Sequence, residues 1–271
     1  MLIRFIERSL VYPRPPRERG DWRPRWLRPQ NVWFRSGDNT KLHGWYVPNP
    51  DARRLIVYSH GNQEHVADQA SLVVRLQQHL QATVFLYDYR GYGRSRGNPV
   101  ERGCVADGMA AQRWLAEREG VNPEDIIMMG RSLGGGVSVA AAAEQGARAL
   151  VVEATFSRMT DAAAHQYPWL PVRLVMRNRY NSVRRIQKYT GPTFQSHGTG
   201  DNVVPISIAR KLFEASPSQM KEFYEVNFAG HNDTPPPAYY AALADFLDRV
   251  DEQSGSKVPA RLRRRKRQLV S

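Results

Sequence analysis

From Leu55 onward, short and largely apolar runs alternate with longer segments in which apolar residues recur every three or four positions. The runs are Leu55–Tyr58, Thr83–Tyr87, Ile126–Met129, Ala149–Val152, Pro192–Gln195 and a more mixed Glu222–Phe228. Apolar runs of this length predict strands buried on both faces, the mark of a parallel sheet. The segments between them predict helices near 66–81, 100–119, 133–145, 205–215 and 236–250. Ahead of this alternation, Asn31–Ser36 and Lys41–Val47 flank Gly37-Asp38-Asn39-Thr40, a turn sequence that predicts a hairpin and an antiparallel edge. The pattern predicts an α/β domain: a mostly parallel, eight-stranded sheet with helices on both faces.

Two features interrupt the alternation. Residues 13–29 hold five prolines among many arginines and read as an extended lead-in, so residues 1–29 stand apart from a domain at 30–250. Between Ser157 and Thr190 the strand–helix rhythm stops; Tyr167-Pro168-Trp169-Leu170-Pro171 lies there with seven Lys/Arg against the single Asp161. This segment reads as a small cap over the carboxyl edge of the sheet, a pair of surface helices being the simpler alternative. Residues 251–271 read as a disordered tail.

Composition adds charge to this picture. The net charge of +13 resides at the ends: residues 1–36 carry nine Lys/Arg against three Asp/Glu, and residues 257–271 carry seven against none. The intervening chain has 23 of each sign, which argues against a nucleic-acid function for the domain. Leu2, Ile3, Ile6 and Leu10 share one helical face opposite Arg4 and Arg8, so the segment suits either contact with an anionic membrane surface or packing against the domain, and the basic C-terminal run could join the first. No run approaches the roughly 18–20 apolar residues that span a bilayer. The one cysteine, Cys104, cannot form an intramolecular disulfide and permits a cytoplasmic setting, peripheral at a membrane if the termini bind one.

The chemistry gathers at strand ends. Gly130-Arg131-Ser132-Leu133-Gly134 follows one predicted strand and opens an alanine-rich helix, a context in which a sharp turn lifts a serine hydroxyl above the sheet. Of the seven histidines, four precede Ser132, whereas the partners of such a serine follow it in the order acid, then histidine. His165 falls in the cap segment and His197 ends a strand, which leaves His231, in a loop after the last strand, as the expected base. Asp201, thirty residues earlier in a strand-end loop, is the expected acid, with Glu153 its rival. Backbone N–H groups of Leu133 and Asn62, the latter in Ser59-His60-Gly61-Asn62, are the expected donors to an oxyanion. No Cys/His set has metal spacing and no glycine-rich phosphate loop of Walker type is present, so no cofactor is expected.

Ser59-His60-Gly61-Asn62, Asp88-Tyr89-Arg90-Gly91-Tyr92-Gly93-Arg94-Ser95, the serine pentapeptide, His197-Gly198-x-x-Asp201 and Gly230-His231-Asn232-Asp233 occur in that order. Over about residues 30–250 the chain thereby resembles the α/β-hydrolase superfamily, in particular the serine-aminopeptidase-like branch that includes protein depalmitoylases. The resemblance implies that fold with a small cap, a Ser132–Asp201–His231 triad, and Asp88 and Arg90 as structural braces. The polar pair Gln195-Ser196 departs from the usual apolar strand before His197. The expected activity is cleavage of an ester or thioester of a small or lipid-like acyl substrate through an acyl-Ser132. A peptidase and a non-catalytic scaffold at a membrane or RNA are the alternatives.

Overall fold

In a computed structural model, which describes Glu7 and residues 10–253, eight strands form one sheet in the order β1-β2-β4-β3-β5-β6-β7-β8. The strands are β1 (Gln30–Arg35), β2 (Lys41–Val47), β3 (Arg54–Ser59), β4 (Ala82–Tyr87), β5 (Ile127–Arg131), β6 (Ala149–Glu153), β7 (Thr193–Gly198) and β8 (Lys221–Val226). The β1–β2 hairpin and the β2–β4 pair are antiparallel; every other pairing is parallel. Parallel neighbours require crossovers, and helices supply them. In chain order these are α1 (Ala70–Leu80), α2 (Glu101–Glu119), α3 (Leu133–Gln145), the short α4 (Met159–Gln166), α5 (Val172–Val175) and α6 (Ser182–Ile186), then α7 (Ile206–Ala215) and α8 (Pro237–Gln253).

Alternate strand residues feed two cores, one on each face. Ile56, Val84 and Val151 pack with Leu76 of α1 and Phe246 of α8. Val57, Phe85 and Leu150 pack on the other side with Leu115 of α2, Val137 of α3 and Leu212 of α7. Each such fully buried aliphatic or aromatic side chain contributes on the order of 2–3 kcal/mol. The strands are therefore a rigid base from which strand-end loops can be held in place.

The chain leaves β3 toward β4 on one side, and leaves β5 toward β6 on the other. Loops that diverge in this way open a crevice at the carboxyl ends of β3 and β5, the point where such sheets place ligands. His60-Gly61-Asn62 and Ser132 lie on its two sides. The Gln195 departure is accommodated locally: its buried amide donates to Ala209 O at 2.7 Å.

Three details differ from the sequence pattern. The helix expected over 66–81 is a 3-10 turn, Val66–Asp68, followed by α1. The break falls at Gln69: Asp68 and Gln69 N–H donate three residues back, to His65 O at 3.0 Å and Val66 O at 3.1 Å, and the turn is capped at its start by Asp88 Oδ1 on Val66 N–H at 2.9 Å. The last strand stops at Val226 rather than Phe228, whose φ of 61° turns the chain out of the sheet and leaves its ring 93% exposed. The described part of the lead-in is packed on the domain: Tyr12 is buried, and its hydroxyl lies 3.0 Å from that of Tyr180. Leu2, Ile3, Ile6 and the basic run of 257–271 lie outside the described residues.

Candidate active site

Ser132 has φ 52° and ψ −116°, an unfavourable backbone conformation for a residue with a Cβ. Such strain costs on the order of 1–3 kcal/mol. Hydrogen bonds on both sides of the residue offset it: Ser132 N–H donates to Glu153 O at 2.9 Å, and Thr155 Oγ1 donates to Ser132 O at 2.8 Å. The flanking glycines are required by space. A Cβ at Gly134 would lie 1.9 Å from Ser59 O, and one at Gly130 would lie 2.3 Å from Gly134 O. The glycines thus let α3 begin directly against β3, so the serine hydroxyl stands at the crevice with the helix N-terminus behind it.

His231 starts from the far edge of the sheet. Its strand, β8, lies three positions from β5, about 14 Å at normal strand spacing. The loop that bridges this distance is stitched to the one after β7. Gly200 N–H donates to Ala229 O at 3.0 Å, and Phe228 N–H donates to Thr199 Oγ1 at 2.7 Å. The result brings three residues together: His231 Nε2 lies 3.0 Å from Ser132 Oγ, and His231 Nδ1 lies 2.7 Å from Asp201 Oδ2. A carboxylate only accepts, so Nδ1 carries the proton and Nε2 is left to accept from the serine hydroxyl.

Asp201 is buried and held on both oxygens. Oδ1 accepts Val203 and Val204 N–H at 2.9 and 2.8 Å, while His197 Nε2 sits 3.1 Å from Oδ2. Burial works to raise its pKa, but the bonds from His197 and His231 outweigh burial and hold the carboxyl well below the usual range. Glu153, the rival acid, points elsewhere. Its carboxyl is buried against the Tyr239 hydroxyl, and that burial raises its pKa.

Leu133 N–H opens α3 and so has no intrahelical acceptor. Among the described residues neither it nor Asn62 N–H donates to another group, whereas Gly61 N–H is taken by Glu64 Oε2 at 2.8 Å. The Asn62 side chain is anchored at both ends: Nδ2 donates to Val11 O, and Oδ1 accepts from the Tyr92 hydroxyl, each at 2.7 Å. The tyrosine-rich turn therefore braces this loop. Tyr89 Oη donates to His60 O at 2.7 Å, and Asp88, its pKa lowered by His43 and neighbouring donors against the effect of burial, fixes Val66 and Arg94 N–H. Arg90 braces differently, pairing with Asp107 and Asp38 at 2.7 Å to tie α2 to the first hairpin.

Ser132, His231 and Asn62 line a cavity of about 820 Å³. Much of its wall is apolar: Val11, Phe156, Met159, Leu170, Val172 and Met176. α4, α5 and their linker supply most of this side, with Val11 of the N-terminal segment, Phe156 after β6, and Val203 and Val204 after β7 completing it. Four participants had no role assigned from the sequence: Tyr92 and Arg131, which stand inside the motifs above, and Val11 with its carbonyl and Glu64, which stand in none.

Residues 54–176 match the model of the α/β-hydrolase fold family. Alpha/beta hydrolase domain-containing protein 17C of Homo sapiens is 31% identical over 246 residues, 89% of this chain and 71% of that protein. The chain belongs to the α/β-hydrolase family. An uncharacterized protein of Mycobacterium tuberculosis is similar to this hydrolase at 34% identity, over 75% of this chain and 73% of that one. Among solved structures, an esterase from Pyrococcus furiosus has the same fold, with a TM-score of 0.72 at 21% identity, covering 88% of this α/β-hydrolase and 97% of the esterase.

Proposed function

We propose that the protein is a serine hydrolase that cleaves an ester or thioester through an acyl-Ser132 intermediate. One observation carries this reading: a serine in a strained turn whose hydroxyl meets an imidazole already oriented by an ionised carboxylate. His231 Nε2 takes the Ser132 proton as Oγ attacks the acyl carbonyl, and Asp201 stabilises the imidazolium that forms. Asn62 and Leu133 N–H receive the oxyanion, and His231 then protonates the leaving group. Water repeats the sequence to release the acid.

The cavity wall favours an apolar acyl group. A peptidase acting on a free amine needs an open carboxylate near the site, and the nearby acids are engaged. Asp161 faces Arg173 at 3.2 Å and Arg158 at 3.6 Å, Glu64 faces Arg131 at 3.4 Å, and Glu7 Oε1 accepts three N–H groups at 178 and 177. Trp169 and Leu174, exposed 78% and 82% on the cap, suit a lipid-like substrate met at a membrane surface. Among the described residues no helix is long and apolar enough to cross a membrane.

A panel of p-nitrophenyl esters tests the reading. Each methylene transferred from water to the cavity is worth about 0.8 kcal/mol, so kcat/KM is expected to rise about fourfold per added CH₂ over the first several carbons. A flat response to chain length, or faster turnover of aminoacyl p-nitroanilides, would reject the acyl-pocket assignment.

A further inference from the structure

The loop that carries His231 leaves the sheet at its outer edge and is solvent-exposed over Asn232, Asp233 and Thr234. Its backbone nevertheless holds the ring with Nε2 at 3.0 Å from Ser132 Oγ. Arg131, the first variable residue of the serine pentapeptide, reaches across to it. Arg131 Nη2 donates to His231 O, and lies 3.3 Å from Asn232 Oδ1. On its other side Nη1 meets Glu64 Oε1 at 3.4 Å, and Glu64 Oε2 accepts Gly61 N–H at 2.8 Å. One guanidinium and one carboxylate thus connect three separate segments: the loop beside Asn62, the residue preceding Ser132, and the backbone of His231 itself.

We infer that Arg131 and Glu64 form a clamp that sets the distance between the nucleophile–histidine pair and the loop of Asn62, the oxyanion donor from the other side of the crevice. This rests on the serine-hydrolase reading and extends it to two positioning residues that touch neither the acyl carbon nor the leaving group. The guanidinium is suited to this because its fixed fork addresses two partners at once, which a lysine ammonium on one flexible stem does not reproduce. Each side chain is about one-fifth exposed, so the clamp closes at the wall of the cavity, where Arg131, Glu64 and Asn232 all line the space. Its effect falls on transition-state geometry rather than on apolar binding of the acyl group.

The test is steady-state kinetics on a soluble short-chain ester with wild type, Ser132→Ala, Arg131→Met, Arg131→Lys, Arg131→Ala, Glu64→Gln and the Arg131→Met/Glu64→Gln double variant. Arg131→Met is expected to lower kcat about 10–100-fold with KM changed less than about threefold, since a 1 Å misplacement has an effect of this order. Glu64→Gln is expected to lower kcat less, and Arg131→Lys to recover part of the loss. The double variant is expected to be no slower than Arg131→Met, because the two residues act as one unit. Millimolar guanidinium is expected to raise kcat of Arg131→Ala several-fold and leave wild type unchanged, a response that a merely stabilising residue would not give. Wild-type kcat in Arg131→Met, additive losses in the double variant, or no rescue by guanidinium would each overturn the clamp while leaving the hydrolase reading intact. Wild-type turnover indifferent to Ser132→Ala would overturn both.

Discussion

Replacing Ser132 with alanine is expected to lower kcat for ester hydrolysis by about 10⁴–10⁶, the scale of nucleophile deletion in a serine triad. The substitution removes one oxygen and keeps the Cβ, so the strained turn at φ 52° is neither relieved nor worsened. The hydrogen bonds that hold this turn use the Ser132 backbone and survive the change. Thermal unfolding of the variant should therefore match wild type, and the loss should be one of chemistry. Residual turnover is also expected: Leu133 and Asn62 N–H still surround a bound carbonyl, and such sites retain about 10³–10⁴ over water. Parallel assays of activity and melting temperature check both halves. Unchanged turnover would remove Ser132 from the mechanism, and a large drop in melting temperature would assign the serine to the fold instead.

Asp201→Asn is expected to cost about 10⁴ in kcat, the scale of the aspartate-to-asparagine change in a serine-protease triad. The geometry explains why a change of one atom is so damaging. Asp201 Oδ1 accepts two backbone N–H groups, from Val203 and Val204, so the amide of the variant keeps its oxygen there. Its NH₂ then faces His231 Nδ1 and His197 Nε2. Donating to His231 Nδ1, it drives the imidazole proton onto Nε2, which can no longer accept from Ser132. The tautomer is wrong although every atom is nearly in place.

The same carboxylate gives a sign for the pH dependence. Because its folded pKa is depressed, Asp201 stays ionised throughout the mildly acidic range. Its contribution to stability is present above the unfolded carboxyl value near 3.9 and is lost as the pH falls through the lower folded value. Asp201→Asn is expected to lack that acid-range loss. Melting temperatures of wild type and variant from pH 2 to pH 7 check it; parallel curves would contradict it.

The centre of the sheet was legible because β3 to β7 are buried on both faces. A run such as Thr83–Tyr87 has no polar alternation to obscure it, whereas the exposed edge strand β1 was read from its hairpin turn and the half-buried β8 from its place in the order, which leaves few topologies. Ser132 was legible because its glycines answer a local steric demand that can be read from five residues. Asp201 and His231 were legible through chain order and strand-end position rather than through any local pattern. Their convergence depends on two loops bonding to each other, which involves Thr199, Gly200 and Ala229 in ways no window of sequence displays. Glu64 was not legible at all, and Tyr92 and Arg131 stand inside motifs that gave no sign of their partners. Each acts by reaching a backbone or side-chain atom thirty to a hundred residues away, and an arginine in a pentapeptide reads equally well as solvated charge. The N-terminal segment failed for a related reason. Its prolines suggest an extended lead-in, but only the fold reveals the turns at 17–18 and 25–27 and that Val11 O meets the Asn62 side chain and walls the cavity.

Labelling with a fluorophosphonate followed by peptide mass spectrometry tests the convergence of the three side chains most directly, because the reagent needs an activated serine and no knowledge of the substrate. One adduct per chain is expected, on Ser132, forming at a rate that falls by orders of magnitude in His231→Ala. An adduct on another serine, or labelling of Ser132 at the same rate without His231, would contradict the proposed triad.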